Sequence, residues 1–463
     1  MNIVDTDPRE FELYALALPH GPNFEEFALY STWRSENAGS VGAVLFNGQQ
    51  FRLLVLRRQT DHRFVVTHDD ILRDRSIDPE AHLKELMRPE EPPEAMPPSQ
   101  KRRPRLFTVG SRKLNERFRL ITSAVSHYPA LMTIGETYLA MPRPDDNSVP
   151  DFQTDNFDSR LWELYLFACF REQGIRTSQD QPSPDFFIER DGHSGYVEAV
   201  TTNPPGERLE GFPPPQHSPE DHTERMIGPA AERFAKTLRN KLQREYHNMP
   251  HVRGHVFAIA IADFHAPSSM IWSREALPSY LYGIHAYVEE GPEGRVAVGE
   301  RIENLRGDAA IPAGLFGDQS MADLSAVIFS NAGTIAKFNR MGVLAGFRPP
   351  RLRFVRAGTF FDRTPGALEP IPFELDILSD EYAAKWPPHG EPWCQELEVF
   401  HNPLAAHPMP FDLLPGATHW FERDGEIVCE TIWEWSVLAS VTKILTKDRD
   451  ETPTPPLDHS SEA

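Results

Sequence analysis

Residues 158–264 run through five periodic segments in a set order, and that order constrains the fold more tightly than anything else in the 463-residue chain. DSRLWELYLFACFREQG puts Leu161, Leu164, Phe167, Ala168 and Phe170 on a helical stripe. PDFFIER and GYVEAVTT are short apolar runs joined by Arg190-Asp191-Gly192-His193, a sequence suited to closing an antiparallel hairpin. AERFAKTLRNKLQREY returns to helical spacing, with Ala231, Phe234, Ala235, Leu238 and Leu242 along one side. HVFAIAIADF then closes the region with the continuous apolar run of a strand covered on both faces. Helices over 161–173 and 230–246 flanking a mixed sheet predict an α/β protein.

Two carboxylates interrupt the apolar strands. Asp185 precedes Phe186, Phe187 and Ile188, while Glu198 lies among Val197, Ala199 and Val200. An acid in such a run is costly to bury unless it binds something. Twelve residues separate the two, so the hairpin can bring both carboxylates to one end of a sheet. Metal-assisted phosphodiester hydrolysis asks for such hard oxygen donors around Mg²⁺ or Mn²⁺, with a cation near the attacking water and the developing charge. Lys241, three residues after Leu238, flanks the apolar stripe of the second helix, whereas Lys236 projects from roughly the opposite side as a surface residue.

This order of elements, with acids at those strand positions, resembles the core of the PD-(D/E)XK, or restriction-endonuclease-like, nuclease superfamily over roughly a quarter of the chain. The resemblance implies a metal-dependent nuclease, a phosphodiester hydrolase acting on nucleic acid, DNA rather than RNA. It implies that Asp185 and Glu198 bind the metal, that Glu163 in the first helix completes the shell, and that the backbone carbonyl of Ala199 adds a ligand. The pattern departs at Val200, where the superfamily places a lysine two residues after the second acid. Some members supply that lysine from the following helix, so Lys241 is the expected substitute, orienting or polarising the attacking water. Val200 also opens the alternative of a noncatalytic interaction protein that retains the nuclease-like fold.

The chain is long enough for two or three units of about 100–200 residues each. Expected boundaries give a small α/β or β-rich N-terminal domain over 1–87, a Pro-rich linker and helical connector over 88–156, and the nuclease-like core over 157–266. An α+β region over 267–446 and a disordered tail over 447–463 complete the chain. Asp78 and Pro79 read as N-cap and first position of a short helix. Residues 203–222, rich in proline, form a long insertion between the Glu198 strand and the second helix, expected as a lid or a disordered loop.

A net charge of −21 opposes nonspecific coating of nucleic acid. Basic runs at 101–120 and at Lys337, Arg340, Arg348, Arg351, Arg353 and Arg356 are read as solvated surface, with a phosphate-facing role as the competing reading. Three cysteines without a CxxC pair argue against a disulfide framework or zinc ribbon. The N-terminus lacks a signal-peptide pattern and no apolar run approaches the roughly 20 residues of a span, which places the chain in the cytoplasm, away from membrane. His217 and His222 lack the spacing of a helical metal pair, and His401, His407 and His419 read as loop or core histidines. Serine-hydrolase, dinucleotide and phosphate-loop motifs are absent, and a sugar-cleaving carboxylate pair has no other support.

Overall fold

The computed structural model describes residues 2–447 except 75, 111–112, 143, 145, 204–222, 267, 292–293, 307–309, 365 and 389. All of the expected insertion but Asn203, His217 and His222 included, and nearly all of the expected tail lie outside the described residues. The chain is a mixed α/β protein in which helices flank several sheets.

Strands β1 (Ile3–Asp5), β2 (Ala28–Ser35), β3 (Ser40–Phe46), β4 (Phe51–Arg58) and β5 (Phe64–Leu72) form an antiparallel meander in that order. SVGAVLF in β3 reads as one apolar run because both of its faces are covered. Phe11 and Tyr14 of the Pro8–Ala15 helix pack against Val41, Ala43 and Leu45, and Leu83 and Met87 of the Pro79–Met87 helix pack against Val44. The second of these helices starts where its cap predicts, with the Asp78 carboxylate accepting from the N–H groups of Glu80 and Ala81. The stretch after it is anchored to the meander: buried Arg57 pairs with Glu91 and Glu94 at 2.9 and 3.2 Å, and Glu94 bridges to Gln59.

The central sheet has eight strands. Its first four are β6 (Arg176–Ser178), β7 (Phe186–Arg190), β8 (His193–Thr202) and β9 (Val256–Asp263). A hairpin, β10 (Ile284–Gly291) with β11 (Gly294–Arg301), stands apart as a two-stranded ribbon. Then come β12 (Ala326–Phe329), β13 (Leu352–Phe360), β14 (Ile371–Asp376), β15 (Glu398–His401), β16 (Thr418–Arg423), β17 (Glu426–Glu430) and β18 (Val437–Thr446). The central order is β17-β16-β15-β12-β9-β8-β7-β6, and β14-β13-β18 form a third sheet. Strands β8, β9 and β12 run parallel, while β6, β7 and β8 pair antiparallel, so the sheet is mixed as expected.

The boundary expected at 266 does not close the sheet. β9 is interior, with Ala258, Ala260 and Ala262 packing on one face and Phe257, Ile259 and Ile261 on the other, and its free edge is taken by β12. The apolar AVIF segment thus belongs to the same layer as the acids. The Phe157–Glu172 helix covers the first face and the Ala231–Leu242 and Ala276–Tyr282 helices cover the second. Among the described residues, no helix is long and apolar enough to cross a membrane.

Candidate active site

The hairpin of β7 and β8 turns on Asp191 and Gly192, at φ 50° and 80°, the left-handed pair that a two-residue turn between twisted strands requires. Its register sets Phe186 against Val197, which places Asp185, one residue before β7, beside Glu198. Asp185 Oδ2 accepts the Ala199 N–H at 2.7 Å. Ala199, whose carbonyl was the expected metal ligand, thus meets this acid through its amide N–H.

Glu198 is 4% exposed and faces the second helix layer. The apolar stripe of Ala231, Phe234, Ala235 and Leu238 docks the Ala231–Leu242 helix on that face, with half-buried Val200 in the same cluster. One turn beyond Leu238, Lys241 Nζ donates to Glu198 Oε1 at 2.6 Å. Tyr246, from the turn after the helix, donates its hydroxyl to the same oxygen at 2.7 Å, and Arg244 donates to the Tyr246 hydroxyl at 3.4 Å. Lys236, exposed to solvent, pairs with the buried Glu232 of the same helix and does not reach the acids.

Glu163 approaches from the helix on the opposite face. Its carboxylate is held by Arg160 at 2.9 and 3.1 Å, and Arg160 also binds Asp151 at 2.7 Å. Burial pushes the Asp185 carboxyl well above the usual carboxylate range, and the charges of Glu163 and Glu198 push it further. The Ala199 N–H and Lys241 oppose that shift without cancelling it. Tyr246 is pushed up by burial and by Glu198, and Arg244 is held protonated by its bond to Tyr246 and by the charges of Glu198 and Asp185.

The hydrogen bonds to the two strand acids fall on Asp185 Oδ2 and Glu198 Oε1, so Asp185 Oδ1 and Glu198 Oε2 take none among the described residues. Two open carboxylate oxygens, one of them on an Asp185 whose ionisation burial opposes, are the donor chemistry of a hard divalent cation. Among the described residues, no group of three or more His, Cys, Asp or Glu side chains is placed to hold a metal ion. The expected third ligand, Glu163, is committed to Arg160, and the fit rests on Asp185 and Glu198.

Tyr246, Arg244 and Arg160 carry parts of this arrangement that the sequence reading passed over. Arg160 was recoverable from its i, i+3 spacing to Glu163, whereas Tyr246 lies beyond a helix end and gives no periodic signal.

Other candidates resolve elsewhere. Lys337, Arg340 and Arg356 are buried around Glu391 and Glu396, with Lys337 Nζ 2.7 Å from Glu391. They face neither solvent nor phosphate, which corrects the reading of that run as surface; Arg348 and Arg353 do reach the surface, paired with Asp7 and Asp376. In the 101–120 run, Lys101 pairs with Asp146, Arg117 with Asp158, and Arg103 is buried against the Met141 carbonyl. His401 and His419 are buried and bonded to each other at 2.8 Å, and the three cysteines are free thiols. No family model, curated protein or solved structure matches the chain.

Proposed function

We propose that the chain is a metal-dependent nuclease built on a restriction-endonuclease-like core, with Lys241 standing in for the lysine that the superfamily carries at the position of Val200. The observation that carries this reading is the contact of Lys241 Nζ with Glu198 Oε1 at 2.6 Å, beside an Asp185 whose charge the surroundings oppose. A salt bridge built only for stability would neutralise its acids; here Arg160 answers Glu163, and the Lys241 ammonium serves both Glu198 and Asp185. Asp185 and Glu198 would hold Mg²⁺ or Mn²⁺ through their open oxygens, with Glu163 adding negative charge behind them. Bound there, the cation would lower the pKa of a water and neutralise charge on the scissile phosphate.

The chain's own residues supply the rest. Lys241 orients the attacking water and offsets charge that develops on the phosphate. Tyr246 fixes the Glu198 carboxylate through Oε1 and leaves Oε2 for the cation. Arg244, exposed beside these groups, meets a phosphate oxygen.

Turnover and metal affinity measured side by side on Lys241→Met test the assignment. Loss of cleavage of about 100-fold or more, with Mn²⁺ affinity kept within a few-fold, is the expected pattern for a group acting on the reacting atoms. Unchanged cleavage by Lys241→Met would remove the substitution argument, and inactivity of the wild type with every metal and substrate would favour the noncatalytic alternative.

A further inference from the structure

Beside the carboxylates, the same hairpin carries a surface that the hydrolytic chemistry does not use. Phe187 and Tyr196 are direct cross-strand partners on β7 and β8, both half-buried, with ring centroids 5.1 Å apart. Tyr196 shares the Glu198 face of β8, two residues away, or about 7 Å along the strand. A cleft of about 270 Å³ opens against these rings, walled by Ser178, Gln179, Asp180, Gln181 and Pro184. It is smaller than the roughly 300–1,000 Å³ of a drug-sized ligand site, and a single flat ring system suits it.

The polar groups around the rings have a pattern. Gln181 is exposed on the cleft wall, and Gln179 Oε1 is buried without a hydrogen-bond partner. His251 and His255 meet Tyr196 in steep, edge-type contacts with ring centroids 5.4 and 5.7 Å away, and His251 is fixed by a 2.8 Å contact with the Ser183 carbonyl. Exposed Arg244 and Arg253 and part-exposed Lys241 belong to the same stretch of chain, which is basic within a protein of net charge −21.

We infer that Phe187 and Tyr196 form a stacking subsite for one unpaired nucleobase, which makes single-stranded nucleic acid the substrate of the neighbouring carboxylates. The inference rests on the nuclease reading for its substrate but on separate residues for its evidence. Aromatic rings recruit bases through π-faces that a duplex keeps stacked inward, so a stacking platform selects unpaired strands. A strongly acidic protein also gains little from the long-range phosphate attraction on which duplex binding depends. A few local cations and one stacked base avoid that penalty. DNA and RNA offer the same ring chemistry.

Binding of short oligonucleotides carrying a central 2-aminopurine, as single strands of DNA and of RNA and as duplexes, tests this on the wild-type protein in EDTA, where no metal supports cleavage. The expected result is quenched fluorescence and tighter binding for the single strands, weakened about 5- to 100-fold in Tyr196→Leu and retained in Tyr196→Phe. Gln181→Ala, on the exposed rim, would weaken single-strand binding without altering the melting temperature. Equal affinity for duplex and single strand, or wild-type binding by Tyr196→Leu, would overturn the inference. Cleavage of duplex without quenching would remove the subsite and leave the nuclease reading standing, whereas quenching without cleavage under any metal would do the reverse.

Discussion

Acidification should destabilise this protein through one identifiable pair of side chains. His401 and His419 are 8% and 4% exposed, and their rings meet at 2.8 Å through Nε2 of His401 and Nδ1 of His419. His419 Nε2 faces the Leu414 carbonyl at 3.0 Å and its ring stacks on Phe411, so a protonated pair would set two like charges together in an apolar setting. Burial lowers His401 to about 3, helped by repulsion from His419, and lowers His419 to about 4. Both folded values lie below the 6.5 of an unperturbed imidazole. The unfolded chain therefore binds more protons through that window, and stability is fully present above 6.5 and falls with decreasing pH.

Between pH 7 and pH 5 each histidine contributes RT ln(1 + 10^(6.5 − pH)) to the loss, about 2 kcal/mol apiece and about 4 kcal/mol for the pair. The assay is urea unfolding of the wild type and of His401→Leu/His419→Phe at both pH values. Other histidines titrate equally in the two proteins, so the difference between their pH slopes isolates the pair. The double variant should lose about 4 kcal/mol less than the wild type over this interval. Equal losses, within about 0.5 kcal/mol, would refute the reasoning.

Three further outcomes are expected. Asp185→Asn, which keeps an acceptor for the Ala199 N–H and removes a charge that burial and two neighbouring acids oppose, should unfold at higher urea than wild type at pH 7 without metal, by roughly 1 kcal/mol; Mn²⁺ should raise the melting temperature of the wild type and not of the variant. Glu391→Gln removes the fully buried one of the two carboxylates that Lys337, Arg340 and Arg356 share and leaves three cations against Glu396 alone, and a loss of about 3–5 kcal/mol in chemical denaturation is expected. Tyr246→Phe should lower kcat by about 10-fold with KM little changed, because Glu198 loses one of the two donors that fix its carboxylate. A Tyr246→Phe enzyme altered only in melting temperature would assign the hydroxyl to stability.

The hairpin and the second helix were legible from local pattern. Asp191-Gly192 specifies a tight turn by its tolerance of positive φ, and the spacing of Phe234, Ala235 and Leu238 predicts both the buried face and the flank from which Lys241 reaches Glu198. Periodicity reports which face of an element is covered, not what covers it. AVIF is strand-like in the sequence, yet its place beside β9 depends on a partner more than 60 residues away, about half a small domain in chain length. The basic run at Lys337 looked solvated because charged residues are rarely buried unless paired, and its partners, Glu391 and Glu396, lie about 50 residues on. Glu163 shows the same limit in miniature: its i, i+3 pairing with Arg160 is readable from spacing, but the further bond of Arg160 to Asp151 is a property of the assembled site.

The most direct test is cleavage of end-labelled single- and double-stranded DNA and RNA with Mg²⁺ or Mn²⁺, using wild-type protein beside Asp185→Ala prepared identically. Metal-dependent cutting by the wild type, lost in Asp185→Ala, is the predicted result. Cutting that survives the substitution would place any nuclease activity away from Asp185 and Glu198, and would contradict the account.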